Sequence, residues 1–240
     1  MKRTFWDKKA KDLFLAFTGL FLISLVEIIL RSSRRAKEDC CPKPFMELLP
    51  VISEFTGEPT GEIIPRSEAI ARGVWCQTTN IYVLNSKGEV LCHQRSLEKE
   101  RLAGVWMTHL GGHVGHDESY EENAHRELFE ESGIKIDASS LIHWRTTKLD
   151  RARIWIREFV TLTDIPAHKL IPQKGEVEQF AWMTLEELNA RNATEPHNWC
   201  IGTHDFAIEY PCLRAVLTAA EQHGTVEPTQ PIHTWMPLAI

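Results

Sequence analysis

The stretch from Gly112 to Ile134 constrains this chain more than any other part of it. It reads Gly-His-Val-Gly-His-Asp-Glu-Ser-Tyr-Glu-Glu-Asn-Ala-His-Arg-Glu-Leu-Phe-Glu-Glu-Ser-Gly-Ile. Ser119 with Glu122 makes a capping box, which starts a helix by satisfying two orphan backbone donors reciprocally. Gly133 supplies the left-handed residue that ends one. A helix opened by Ser119 and stopped at Gly133 is therefore predicted, entered from a glycine-containing loop. On it Glu127, Glu130 and Glu131 are spaced i, i+3 and i+4, within an arc of about 100°. Ala124 and Leu128, one turn apart, are free to pack on a sheet.

Like charges at that spacing destabilise a helix by roughly 0.2–0.5 kcal/mol per pair. A divalent metal reverses the sign, because hard oxygen ligands converging from one face suit Mg²⁺ or Mn²⁺. Acidic helix faces are also common as plain solvated surface, and ExxEE alone does not separate the two. No covalent nucleophile is evident, since none of the cysteines has an obvious activating partner.

Composition narrows the function class. With 33 acidic and 27 basic residues the net charge is −6. A general nucleic-acid binder usually carries a basic surplus, so no nucleic-acid partner is expected. A small anionic substrate stays compatible, because a metal supplies positive charge locally. The chain has six cysteines, without a CxxC pair or zinc spacing. They read as reduced thiols, which suits a cytoplasmic catalytic domain.

Around the helix, strand-like runs alternate with a few helices. Gln77–Leu84 and Glu89–Gln94 flank Asn85-Ser-Lys-Gly88, a good hairpin connection. Leu97–Gly104 is a charged loop. Further strands are expected at 105–110, 141–147, 154–161 and 179–183. Thr184 with Glu187 predicts a helix to about Ala190, and Pro211 suits the first turn of another, ending near Gln222. The Pro59–Pro65 region reads as turns before a short helix at 67–72, and the tail from His223 as loosely packed. There are no internal repeats. The pattern favours an α/β sandwich around a mixed sheet.

Taken whole, the 112–134 segment matches GX5EX7REUXEEXGU, the Nudix box, at every specified position, with Leu128 and Ile134 as the bulky aliphatics. With residue frequencies near ~5–7%, a chance match has odds on the order of 10⁻⁷. Residues 46–222 thus resemble Nudix hydrolases, and the resemblance implies an α/β/α sandwich around a mixed β-sheet. It also implies metal-assisted hydrolysis of a phosphoanhydride bond in a nucleoside diphosphate derivative or related small molecule. By the same resemblance, Glu127, Glu130 and Glu131 are the metal ligands, joined by a carbonyl from the Gly112 region. Glu118 assists near the metal, and Arg126 orients a neighbouring glutamate, Glu130 being one turn away. Glu176 or Glu178 is the candidate for a completing carboxylate. Arg95 and Arg101 are candidates for phosphate binding and Trp106 for the pocket wall, against a default of solvated surface for the arginines and core packing for Trp106. A homodimer is frequent among relatives.

The flanks Pro65-Arg-Ser-Glu-Ala69, Gly73-Val-Trp75, Gln94-Arg-Ser96, Gly104-Val-Trp106 and Gly111-Gly-His113 are similar to the isopentenyl-diphosphate-isomerase-like branch. Isomerases of that branch carry a catalytic cysteine just before the Gly-His pair, where this chain has Gly111. They use a histidine ligand where it has Cys76. Both departures favour hydrolysis, and His113, without its partners, reads as structural. An isomerase-like enzyme and a nucleotide-sensing module without turnover are the competing readings. Residues 1–45 stand apart. Leu13–Leu30 is apolar enough to form a hydrophobic helix of roughly 27 Å, sufficient for a bilayer tether. The other reading of 1–45 is a leader before a working start at Met46.

Overall fold

Alternation along one central strand sets the architecture. In the computed structural model, which describes residues 47–200, 206–223 and 229–233, Cys76–Leu84 points its side chains to two opposite cores. Ile81 and Val83 join one cluster with Leu110, Ala124, Leu128, Ile134 and Phe159. Tyr82 and Leu84 join another with Val90, Cys92, Val160, Leu188 and Leu213. Period-two side chains with both faces apolar define a sheet buried on both sides.

The strands are β1 (Leu48–Ile52), β2 (Pro59–Pro65), β3 (Cys76–Leu84), β4 (Val90–Arg95), β5 (Trp106–Met107), β6 (Ile142–Leu149), β7 (Ile154–Leu162), β8 (Val177–Met183) and β9 (Thr229–His233). The helices are α1 (Arg66–Arg72), α2 (Tyr120–Ser132), α3 (Leu185–Thr194) and α4 (Phe206–His223). The main sheet runs β5-β4-β3-β7-β6-β9, with β8 also paired to β4, and β1-β2 forms a separate ribbon. It is mixed: β3 is parallel to β7 while β6 is antiparallel to it. Helix α2 covers one face through Ala124 and Leu128, both at 0% exposure. Helices α3 and α4 cover the other through Leu188, Leu213 and Leu217. This is the expected α/β/α sandwich.

One irregularity positions the site. Strands β3 and β4 pair only at Leu84↔Val90, next to their hairpin turn. Beyond it β4 turns to β8 and β5, and the vacated edge of β3 takes up the loop before α2. Ile81 exchanges backbone hydrogen bonds with Leu110, the Thr79 N–H donates to Gly112, and the Val114 N–H donates to Gln77.

Several local expectations are corrected. Pro59–Pro65 is strand β2 rather than turns, paired antiparallel with β1. Its residues are largely exposed, so it carries no alternating signal. The strand expected over 105–110 shortens to β5 and an isolated bridge at Leu110. Helix α3 continues to Thr194, and Pro211 lies inside α4, not in its first turn. Part of the tail is ordered as β9, parallel to β6. The 13–30 segment lies outside the described residues, and among the described residues no helix is long and apolar enough to cross a membrane. Cys76, Cys92, Cys200 and Cys212 are unbridged.

Candidate active site

Helix α2 begins as the sequence predicts. The Ser119 side chain accepts from the Glu122 N–H while the Glu122 side chain accepts from the Ser119 N–H, and Gly133 closes the helix in the left-handed conformation. Packing of Ala124 and Leu128 on the sheet fixes its rotation. That rotation turns Glu127 and Glu131 inward, toward the Gly111–Gly112 loop held on β3, and leaves Glu130 outward.

The three glutamates therefore have different surroundings. Glu131 is 6% exposed, and its Oε2 accepts from the Gly111 N–H at 3.0 Å. Burial pushes its pKa up to about 8, with the charges of Glu127 and Glu176 adding to the rise and the Gly111 N–H and Arg95 opposing it. The Glu127 carboxylate lies against Gly112, whose Cα has no room for a methyl: an added Cβ would sit 2.4 Å from Oε1. Burial raises Glu127 to about 7 although Arg126 lies 3.1 Å away. Glu130 is exposed and meets Arg126 at 3.0 Å.

Glu118 reaches back from the loop to the helix. Its Oε1 accepts from the Gly115 N–H at 2.7 Å, Asn123 Nδ2 at 2.8 Å and Arg126 Nη2 at 2.9 Å, and its Oε2 accepts from Arg126 Nε at 3.0 Å. Partial burial works against its charge, but Arg126, the Gly115 N–H and Asn123 together hold the carboxyl below its usual range. Arg126 thus touches Glu118, Glu127 and Glu130 at once, more than the single neighbour expected of it.

Among the described residues no three His, Cys, Asp or Glu side chains converge on one point. Glu130 meets Arg126 and Glu131 meets the Gly111 amide. The donor chemistry nevertheless fits a hard divalent cation. Glu127 and Glu131 are two desolvated carboxylates one turn apart whose charged forms lack sufficient compensation, and a cation would provide it. The Gly112 carbonyl accepts from the Thr79 N–H at 2.9 Å, so one of its lone pairs serves the sheet.

The opposite wall is β4 and its neighbours. Arg95 lies near enough to Glu131 to lower its pKa, and its buried Nε has no hydrogen-bond partner. His93 beside it is 4% exposed, and burial lowers its imidazole to about 3. Trp106, the pocket-wall candidate, instead packs half-buried against the core on the other face of the sheet and stacks on Trp199 with centroids 6.0 Å apart. Arg101 is exposed in the loop between β4 and β5. Glu176 pairs with Lys99 and contributes to the field at Glu131, whereas Glu178 is exposed on β8. His113 is half-buried, and desolvation holds its imidazole down to about 4. Sequence reasoning missed Asn123. A buried amide inside a helix is the kind of residue that helix propensity disfavours, and that was the available signal.

A sheet with carboxylate helix, glycine loop and splayed hairpin in this arrangement defines a class, and the comparisons agree. The NUDIX domain family matches residues 55–201, and the chain belongs to that family. The isopentenyl-diphosphate Delta-isomerase of Pectobacterium atrosepticum is 31% identical over 151 residues, covering 62% of this chain and 83% of the relative. That of Corynebacterium glutamicum is 28% identical over 125 residues, covering 45% and 61%. An uncharacterized Nudix hydrolase of Pseudomonas aeruginosa, PA4841, is 36% identical over 104 residues, covering 43% and 61%. The chain thus spans 61% of the length of the Corynebacterium and Pseudomonas relatives. Among solved structures, DR0079 from Deinococcus radiodurans superposes with a TM-score of 0.56 at 25% identity, covering 70% of this chain and 99% of that one.

Proposed function

We propose that the chain hydrolyses a phosphoanhydride bond in a small diphosphate-containing molecule, such as a nucleoside diphosphate derivative, using Mg²⁺ or Mn²⁺. The observation that carries this reading is the pair Glu127 and Glu131, desolvated side by side against the Gly111–Gly112 backbone. Glu127 and Glu131 would hold the cation, and Glu130, exposed one turn away on the same helix, would be the third carboxylate of the set. Such an ion, when bound, would supply Lewis acidity and neutralise charge on the substrate. Arg126 keeps Glu118 ionised and holds Glu127 in place. Arg95, with an unsatisfied guanidinium nitrogen on the facing wall, binds a phosphate oxygen, and a carboxylate of the cluster takes the proton of the attacking water.

Hydrolysis is favoured over isomerisation by the space at Gly111. An added Cβ there would lie 2.1 Å from the Thr79 carbonyl oxygen, so a cysteine cannot occupy the position without displacing β3. The test is phosphate and pyrophosphate release by the full-length chain with Mg²⁺, across nucleoside diphosphate derivatives and prenyl diphosphates. A Glu130→Gln/Glu131→Gln variant runs beside it. Metal-dependent turnover that the variant loses is the expected result. Turnover that survives in the variant, or none on the whole panel, refutes the reading.

A further inference from the structure

We propose that Asn123 is a positioning residue of this site: its side-chain amide ties Glu118, and through it Arg126, to the central strand β3. Asn123 is 0% exposed. Its Oδ1 accepts from Thr79 Oγ1 at 2.6 Å, and its Nδ2 donates to the His113 carbonyl at 2.7 Å and to Glu118 Oε1 at 2.8 Å. The amide orientation follows from its neighbours. A carbonyl and an ionised carboxylate only accept, so they require the NH₂ end, and the threonine hydroxyl donates to the other.

Three elements meet on this one side chain: β3 through Thr79, the loop before α2 through His113 and Glu118, and α2 itself. A fully buried polar group is retained when every partner is satisfied, and here both N–H donors and the oxygen are used. The connection continues outward. Glu118 holds Arg126 by two hydrogen bonds, and Arg126 reaches Glu127 at 3.1 Å and Glu130 at 3.0 Å. Thr79, Asn123, Glu118, Arg126 and Glu127 therefore form one chain of contacts from the sheet to the carboxylates. Only an amide has the donors and acceptor for its second link. Alanine removes them, and aspartate of the same shape sets an acceptor against two acceptors.

The kinetic consequence rests on the hydrolase reading, while the positioning itself is readable without it. Full-length Asn123→Ala and Asn123→Asp are compared with wild type in turnover and in hydrogen exchange at the Gly115 amide, which donates to Glu118. Alanine is expected to lower kcat about 10-fold and aspartate about 100-fold, with KM within about twofold because Asn123 does not touch substrate. Gly115 exchange is faster in both. A mere packing role predicts the opposite order, since aspartate fills the space and alanine leaves a void. That order, or unchanged Gly115 exchange in Asn123→Asp, overturns the proposal. Should wild type turn over nothing, the hydrolase reading fails alone, and the exchange result still decides for or against Asn123. If the aspartate variant does not fold, the cycle of Asn123→Ala, Glu118→Gln and their double decides. A double variant no worse than Glu118→Gln is expected, and full additivity overturns the proposal.

Discussion

Alanine substitutions at Gly111 and Gly112 should have opposite consequences although the residues are adjacent. Gly111 has φ 134°, and a Cβ there would lie 2.1 Å from the Thr79 carbonyl oxygen and 2.8 Å from its carbon. Both atoms are backbone of β3, so the loop must lift away from the sheet. Lifting it breaks the 3.0 Å bond from the Gly111 N–H to Glu131, which contributes about 0.5–1.5 kcal/mol because burial keeps that carboxyl largely neutral near pH 7. Holding a non-glycine residue at such a φ adds about 1–3 kcal/mol. A total near 3 kcal/mol lowers the Tm of a domain this size by roughly 6–12 °C. At Gly112 the obstacle is instead Glu127 Oε1 at 2.4 Å, the far end of a flexible side chain. It rotates away for about 0.5–1.5 kcal/mol, so Tm changes little. The displaced carboxylate is then lost to the metal, and Mn²⁺ affinity read by electron paramagnetic resonance falls about 10–100-fold. Calorimetry on both variants with Mn²⁺ titrations is the assay. A Gly111→Ala protein that melts with wild type, or a Gly112→Ala protein with undiminished Mn²⁺ affinity, refutes the geometry.

Without divalent cation, stability should fall as pH rises. Burial raises Glu127 to about 7 and Glu131 to about 8 from 4.5, so between those values the folded state keeps protons that the unfolded chain has released. Urea midpoints should decline from about pH 5 to about pH 8 and decline less in Glu131→Gln; a flat wild-type profile contradicts the desolvation described. On the far side of the sheet, Glu158 is 3% exposed and accepts from Arg145 Nε at 2.8 Å and Thr147 Oγ1 at 3.1 Å. Glu158→Gln removes the charge from a buried, charge-assisted hydrogen bond and should destabilise by about 1.5–3 kcal/mol in urea unfolding, and a midpoint equal to wild type counts against that.

Local signals made part of this legible in the sequence. The capping boxes at Ser119 and Thr184, the turn at Asn85–Gly88 and the alternation of β3 and β7 depend on neighbours in the chain, and each appears where residue chemistry places it. What escaped depends on distant partners. The exposed β2 is a strand because β1 lies beside it. Residues 229–233 become β9 because β6 offers an open edge. At the site, the spacing of Glu127, Glu130 and Glu131 was readable, but not that Glu130 faces outward, which the packing of Leu128 decides. Nor could spacing reveal that Glu118 and Asn123, from loop and helix, share a hydrogen bond.

The brief pairing of β3 with β4, at Leu84 and Val90 alone, divides the proposed site between two parts of the sheet. The carboxylates ride on α2 and on the loop that β3 anchors. The wall facing them, with His93 and Arg95, belongs to β4 and is braced from its other side by β8. Leu91 of β4 stays in the core with Ala124 and Leu128 of α2, but because so little of the ladder joins the two, the side chain at Arg95, toward the far end of β4, can change size or charge without repacking that core. On the hydrolase reading proposed above, a lineage of such proteins would exchange one anhydride for another through the far end of β4 and the loop that follows it, while the carboxylates on α2 are inherited intact.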